Sequence, residues 1–182
     1  MALAACGSDD DQSAADLTTS TTAEETTTTT APPETTTAAP TPEDQVLAAY
    51  QGYWAAVNEA FGPPQVRPDL PALRQYATGE VLAGIVRRAE EVKGRDSVTR
   101  LRENGQYVHR AEVLSVDGAT ATVRDCNIDD VVEENAATGG AIDDGVSTRL
   151  YISMLVLEDR HWKVAVLERE MAWEGVAGCA LE

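Results

Sequence analysis

The sequence is short of positive charge and of histidine, and each shortage excludes something. Against 31 acidic residues stand 14 lysines and arginines, for a net charge of −17. Binding to a phosphate backbone depends on Lys and Arg that displace counterions, so nucleic acid is excluded as a partner. The same acidity keeps the chain off anionic lipid unless a covalent anchor holds it there. No segment approaches the roughly 20 consecutive apolar residues of a membrane span. Two histidines, His109 and His161, are all the imidazole chemistry available. No Gly-x-Ser-x-Gly, phosphate loop or zinc-ligand spacing occurs, so neither a cofactor nor a metal is expected.

What is present divides unevenly. Residues 7–42 hold 13 threonines and seven acids, with no Lys, Arg, His or aromatic residue. Such a stretch cannot bury enough apolar surface to offset the entropy of ordering its backbone. Composition therefore predicts a disordered tether over 7–42, with a reach of roughly 30–35 Å as a flexible coil. A folded domain over 43–182 follows, long enough for one core.

Ahead of the tether stands Leu3-Ala4-Ala5-Cys6-Gly7-Ser8. This run resembles the lipobox of bacterial lipoproteins, in which small residues precede a cysteine that takes diacylglycerol before the signal peptide is cut. The resemblance implies that residues 1–6 are the remnant of a signal peptide and that Cys6 is lipidated. It also implies a secreted protein, lipid-anchored on the extracellular face of the cell membrane. Basic and apolar regions precede the box in that family, so a signal region upstream of Met1 is expected. Cys126 and Cys179 then remain in the folded part. In an exported protein a disulfide between them is the expected state, and two buried free thiols are the alternative.

In the folded part, Thr41-Pro42-Glu43-Asp44 is a helix start: a hydroxyl cap, proline in the first turn, and acids at the positive end of the dipole. Val46, Tyr50, Trp54, Val57 and Phe61 recur at three- and four-residue steps as one apolar stripe, and Gly62-Pro63-Pro64 ends the helix. A short helix after Asp69 carries Leu73 and Tyr76. A third runs from a Thr78 cap to Gly94. Residues 107–116 and 119–128 flank Asp117-Gly118, a preferred pair for a tight hairpin turn. Residues 148–158 and 161–170 flank a second turn at Asp159-Arg160. Residues 129–145, between the hairpins, are acidic and Gly-containing and are expected as a solvated loop or an extended hairpin tip. Three helices followed by a four-stranded meander indicate an α+β domain.

This order resembles the nuclear-transport-factor-2-like (ketosteroid-isomerase-like) fold, as carried by lipoproteins of high-GC Gram-positive bacteria. The resemblance covers about residues 43–180. It rests on Tyr50, Tyr53 and Trp54 in the first helix and on Leu73-Arg74-Gln75-Tyr76-Ala77-Thr78-Gly79-Glu80. It rests also on the run from Ser115 through Val116-Asp117-Gly118-Ala119-Thr120 to Cys126, and on Trp162-Lys163-Val164. It implies a cone-shaped, curved antiparallel sheet covered on one face by about three helices, with a pocket inside. Members of the family include enzymes, small-molecule binders and interaction modules, so the fold does not choose among them.

Register supplies the candidate site. With a two-residue turn at 117–118, Arg110 falls opposite Asp125 and Val108 opposite Asn127, with Leu114, Val116, Ala121 and Val123 on the same face nearer the turn. With the turn at 159–160, Leu157, Leu155, Ser153 and Tyr151 pair with Trp162, Val164, Val166 and Glu168. Each hairpin then has a face that is apolar near its turn and polar at its far end. Arg110, Asp125, Tyr151 and Glu168, with Trp54, are the candidate ligand-binding residues of a pocket with an apolar base and a polar mouth. A rim salt bridge between Arg110 and Asp125 is the plainer alternative. Asp125 and His109 are the candidates for acid–base work, with His109 expected opposite Cys126. The acids Asp129, Asp130, Glu133, Glu134, Asp143 and Asp144 do not have the spacing of an EF-hand. The functional expectation is a non-enzymatic envelope module that binds a small apolar ligand or an envelope protein, with a homodimer left open. An isomerase- or hydratase-like enzyme with an acid in the pocket is one alternative, and a purely structural module is another.

Overall fold

A computed structural model describes residues 39–105 and 107–179 of the chain. Cys6 and the threonine-rich stretch up to residue 38 lie outside the described residues, as do the expectations attached to them.

The domain is α+β, with three helices and two antiparallel sheets. Helix α1 spans Pro42–Phe61, α2 Pro71–Tyr76 and α3 Gly79–Gly94. Strands follow as β1 Ser97–Leu101, β2 Tyr107–Asp117, β3 Thr120–Asp129, β4 Val131–Asn135, β5 Ala141–Asp143, β6 Ser147–Glu158 and β7 His161–Glu174. A four-stranded sheet runs in the order β2-β3-β6-β7, and a three-stranded one in the order β1-β4-β5. Among the described residues no helix is long and apolar enough to cross a membrane.

Local chemistry accounts for the helix starts. Thr41 accepts a hydrogen bond from the Asp44 backbone N–H, and the Asp44 carboxylate takes the Thr41 N–H in return. Such a reciprocal cap is worth about 1 kcal/mol. Proline fills the first turn of both α1 and α2. Thr78, the expected cap of α3, instead turns its hydroxyl toward Glu158 of β6.

The core lies between α1 and the larger sheet. Val46, Tyr50 and Tyr53 of α1 meet Ala121 and Val123 of β3, Leu155 of β6, and Trp162 and Val164 of β7. The buried face of α1 is Val46, Tyr50, Tyr53, Ala56 and Ala60. It is therefore rotated from the expected stripe, and Trp54, Val57 and Phe61 are left half-buried along one flank. That flank forms the site described below.

Both hairpins form, and bulges change their register. The first turn is Gly118-Ala119 rather than the expected Asp117-Gly118, with Gly118 at φ 57°, the left-handed value that such a tight turn needs at its first position. Leu114 is an extra residue between Val113, which faces Val123, and Ser115, which faces Thr122. The second turn is Asp159-Arg160 as expected, both residues at positive φ. Ala165 is then an extra residue between Val164, which faces Leu155, and Val166, which faces Met154. Because side chains alternate along a strand, one inserted residue moves everything beyond it to the other face.

Residues 129–145 are only in part a solvated loop, with residues 136–145 exposed. They supply β4 and β5, and β4 pairs with β1, a strand the sequence pattern left unassigned. Four of their six acids meet arginines: Asp129 with Arg149, Asp130 with Arg102, Glu133 with Arg88 and Arg95, and Glu134 with Arg100. At the end of the described chain, Cys126 and Cys179 form the expected disulfide, 53 residues apart in sequence. It pins residues 175–179 over the outer face, where Thr148 and Cys126 are buried. Gly178 passes so close to Trp173 and Thr148 that a Cβ there would stand within 2.7 Å of both side chains.

Candidate functional site

Two features of the inner face invite a functional reading, and they share Trp54. The first is a polar network at the centre of the sheet. Asp125 of β3 is fully buried. Its Oδ2 accepts from the Tyr50 hydroxyl at 3.1 Å and lies 2.5 Å from His109 Nδ1. Asn127, also buried, faces the same imidazole, its Nδ2 3.2 Å from His109 Nε2. Burial, together with the Asp125 carboxylate beside it, raises the Tyr50 phenol far above its ordinary value, so Tyr50 is a neutral donor. The Asp125 Oδ1 and the Ser153 hydroxyl are buried without a hydrogen-bond partner among the described residues.

The placement of the residues nominated from sequence follows from the shifted first turn and from the bulges at Leu114 and Ala165. The expected alignment of Arg110 with Asp125 is corrected: Arg110 faces Cys126 and is exposed, while Asp125 faces Ala111 on one side and Tyr151 on the other. Glu168, expected opposite Tyr151, faces Ile152 and is exposed, because Ala165 has reversed the parity of β7. Val108 lies opposite Ile128 rather than Asn127, and Leu114 bulges outward. Asp125, Asn127 and Tyr151 do come together, with Trp54 beside Tyr151 at a ring distance of 5.6 Å. His109 faces Asn127 rather than Cys126, and so joins the inner group that Arg110 was expected to join. The alternation of Tyr107, His109, Ala111 and Val113 against Arg110 and Glu112 carried that signal. His161 is exposed beside its turn.

The imidazole is walled in by rings. Trp54 lies over it at 4.8 Å, and Tyr107 and Tyr50 meet it edge-on at 4.9 and 6.3 Å. A side chain that takes a proton from a substrate must reach it directly or through one water. His109 lines neither of the cavities described next, and Asp125 already serves two partners.

The second feature is a groove of about 540 Å³ beside the network. Tyr53, Trp54, Val57 and Phe61 of α1 form one wall, and Val81 and Ile85 of α3 with Leu167 of β7 form the other. Glu80 and Arg88 stand among these apolar walls. Its size and lining are those of sites for small, largely apolar ligands. The groove exists because the buried stripe of α1 turns toward Tyr53, Ala56 and Ala60, leaving the Trp54 flank facing α3 across open space. Among the described residues no group of three or more His, Cys, Asp or Glu is placed to hold a metal ion.

No family model and no curated protein matches the chain. Among solved structures, the intermembrane-space region of the chloroplast protein ARC6 is similar, with a TM-score of 0.54 at 16% identity over 72% of this chain and 98% of that one. A Novosphingobium aromaticivorans protein named as a candidate aromatic ring hydroxylase gives 0.44 at 16% identity, over 75% and 96%. A de novo designed β-sheet protein gives 0.37 at 15%, over 75% and 92%. At such identities the first likeness concerns the fold alone, and the other two are too distant to carry an argument.

Proposed function

We propose that the domain is a non-enzymatic binding module for a small, largely apolar molecule. It is held on the outer face of the cell membrane by a lipid on Cys6 and built on a nuclear-transport-factor-2-like cone. The observation that carries the binding reading is the apolar groove between α1 and α3, open and of ligand size. An open groove argues against a filled, purely structural cone. The polar network favours the enzyme reading by its composition, since a buried acid, an imidazole and a phenol are the parts of a proton-transfer site. Its geometry argues the other way, because Trp54 stands over His109, Tyr107 meets it edge-on, and neither His109 nor Asp125 lines the groove or the cavity next to it. The network is better read as a buried clamp joining α1 to β2 and β3.

The test is extraction and mass spectrometry of protein purified from its own host, beside an Ile85→Trp variant that fills the groove. An apolar molecule carried by the wild type and lost from the variant is the expected result. Recovery of the same molecule from both would remove the groove as the site, and turnover dependent on His109 would restore the enzyme.

A further inference from the structure

The apolar groove continues past Trp54. Trp54, Val57, Phe61 and Arg88 line it, and the same four residues line a second cavity of about 290 Å³. Three of the four belong to α1, so the two cavities are lobes of one cleft along the carboxy-terminal half of that helix. Their chemistry differs. The lobe beside α3 is mainly aliphatic and aromatic, whereas the second presents Asn58, Tyr107, Asp129, Glu133 and Arg149.

Charge in the second lobe is nearly balanced within its own wall. Arg149 sits 2.6 Å from Asp129, and Arg88 sits 3.4 Å from Glu133, with Asp143 as a further acid. An anionic head group would face three carboxylates in an acidic domain. A cationic one would face two guanidiniums and would have to draw the acids away from them. A neutral head bearing hydroxyls avoids both costs, because each hydroxyl can donate to a carboxylate and accept from a guanidinium. Asp129 has acceptor capacity left for it. Its Oδ2 meets Arg149, while its Oδ1, buried in the wall of the lobe, has no hydrogen-bond partner among the described residues and would reach an entering hydroxyl by a turn of the carboxylate.

We infer that the cleft takes an amphiphile, its apolar part in the lobe beside α3 and a neutral sugar or polyol head in the lobe walled by Asp129 and Arg149. This rests on the groove being a small-molecule site and narrows the class of molecule. The two lobes meet at Trp54 and Phe61, where a chain would pass between aromatic walls and emerge among polar ones.

The experiment titrates the full chain with an n-alkyl glucoside and with the alcohol, sulfate and trimethylammonium of the same chain length. All are kept below micelle-forming concentrations, and tryptophan fluorescence and calorimetry read the binding. The glucoside should bind about tenfold tighter than the alcohol, the worth of one or two net hydrogen bonds, and tighter than either ion. Asp129→Ala should bring the ratio of glucoside to alcohol affinity toward one. Asp129→Asn, which keeps the volume, reads the same ratio if the alanine variant does not fold. Equal binding of glucoside and alcohol overturns the head-group inference and leaves the apolar site standing. Preference for the sulfate or the ammonium also overturns it. Binding of none of the four overturns both readings.

Discussion

Replacing Asp125 with alanine removes an acceptor from a position shut off from the solvent. The side chain is 0% exposed and receives the Tyr50 hydroxyl at 3.1 Å and His109 at 2.5 Å. Leaving a buried donor unpaired costs about 1–3 kcal/mol, and the substitution leaves two. Against this, Oδ1 of Asp125 is already without a partner, so alanine relieves part of the cost of burying a carboxylate. The net loss should be about 2–4 kcal/mol. The control is Glu112→Ala, which breaks the ion pair with Arg124, where the two side chains are 59% and 41% exposed. An exposed pair of that kind is worth at most about 0.5–1 kcal/mol. Urea denaturation of both variants, with Tyr50→Phe and the double variant Tyr50→Phe/Asp125→Ala, gives the coupling between helix and strand. Coupling above about 1 kcal/mol is expected for partners in direct contact. An Asp125→Ala variant as stable as Glu112→Ala would refute the account of the network as a buried clamp.

Reduction of the Cys126–Cys179 bond should lower stability by about 4 kcal/mol on the chain-entropy estimate for a loop of 53 residues, measured by melts with and without reductant. An unchanged melt would mean that residues 175–179 are held by their packing alone. Burial raises the phenols of Tyr50, Tyr53 and Tyr107, helped by Asp125, Tyr151 and Asp129 respectively. In the unfolded chain these groups ionise near pH 10 while the folded chain keeps them protonated. Stability should therefore fall as pH rises above about 10, by up to ~4 kcal/mol per pH unit for the three together. Phenolate absorbance should show them ionising with unfolding rather than before it, and titration of all five tyrosines in a still-folded protein would contradict their burial. Expressed in its own host from the full native gene, the protein should partition with membranes, and Cys6→Ala should release it. Continued membrane association of that variant would overturn the lipid anchor.

The helices were legible because their signals are local. Thr41-Pro42-Glu43-Asp44 carries its own cap, Gly62-Pro63-Pro64 its own stop, and neither depends on what packs against the helix. The face α1 buries was less legible, since Tyr53 and Trp54 are adjacent and equally apolar. Which of them enters the core depends on the sheet beneath. The site was half legible: Asp125, Asn127 and Tyr151 were placed together, while Arg110 and Glu168 were placed with them and belong outside. The substitute, His109, was visible as a member of an alternating row but was paired with the wrong neighbour.

The sequence by itself determined the three helices, the four long strands, the second hairpin turn, the cysteines that pair, and the α+β class, because each depends on residues close in the chain or on composition. Only the tertiary structure decided the rest. Leu114 and Ala165 are extra residues in their strands, and each bulge exchanges inner for outer side chains beyond it. Glu133, Glu134 and Asp129 find arginines on α3, β1 and β6, in other elements of the fold. The groove is a space between elements, and no stretch of sequence encodes it until α1, α3 and β7 are brought together.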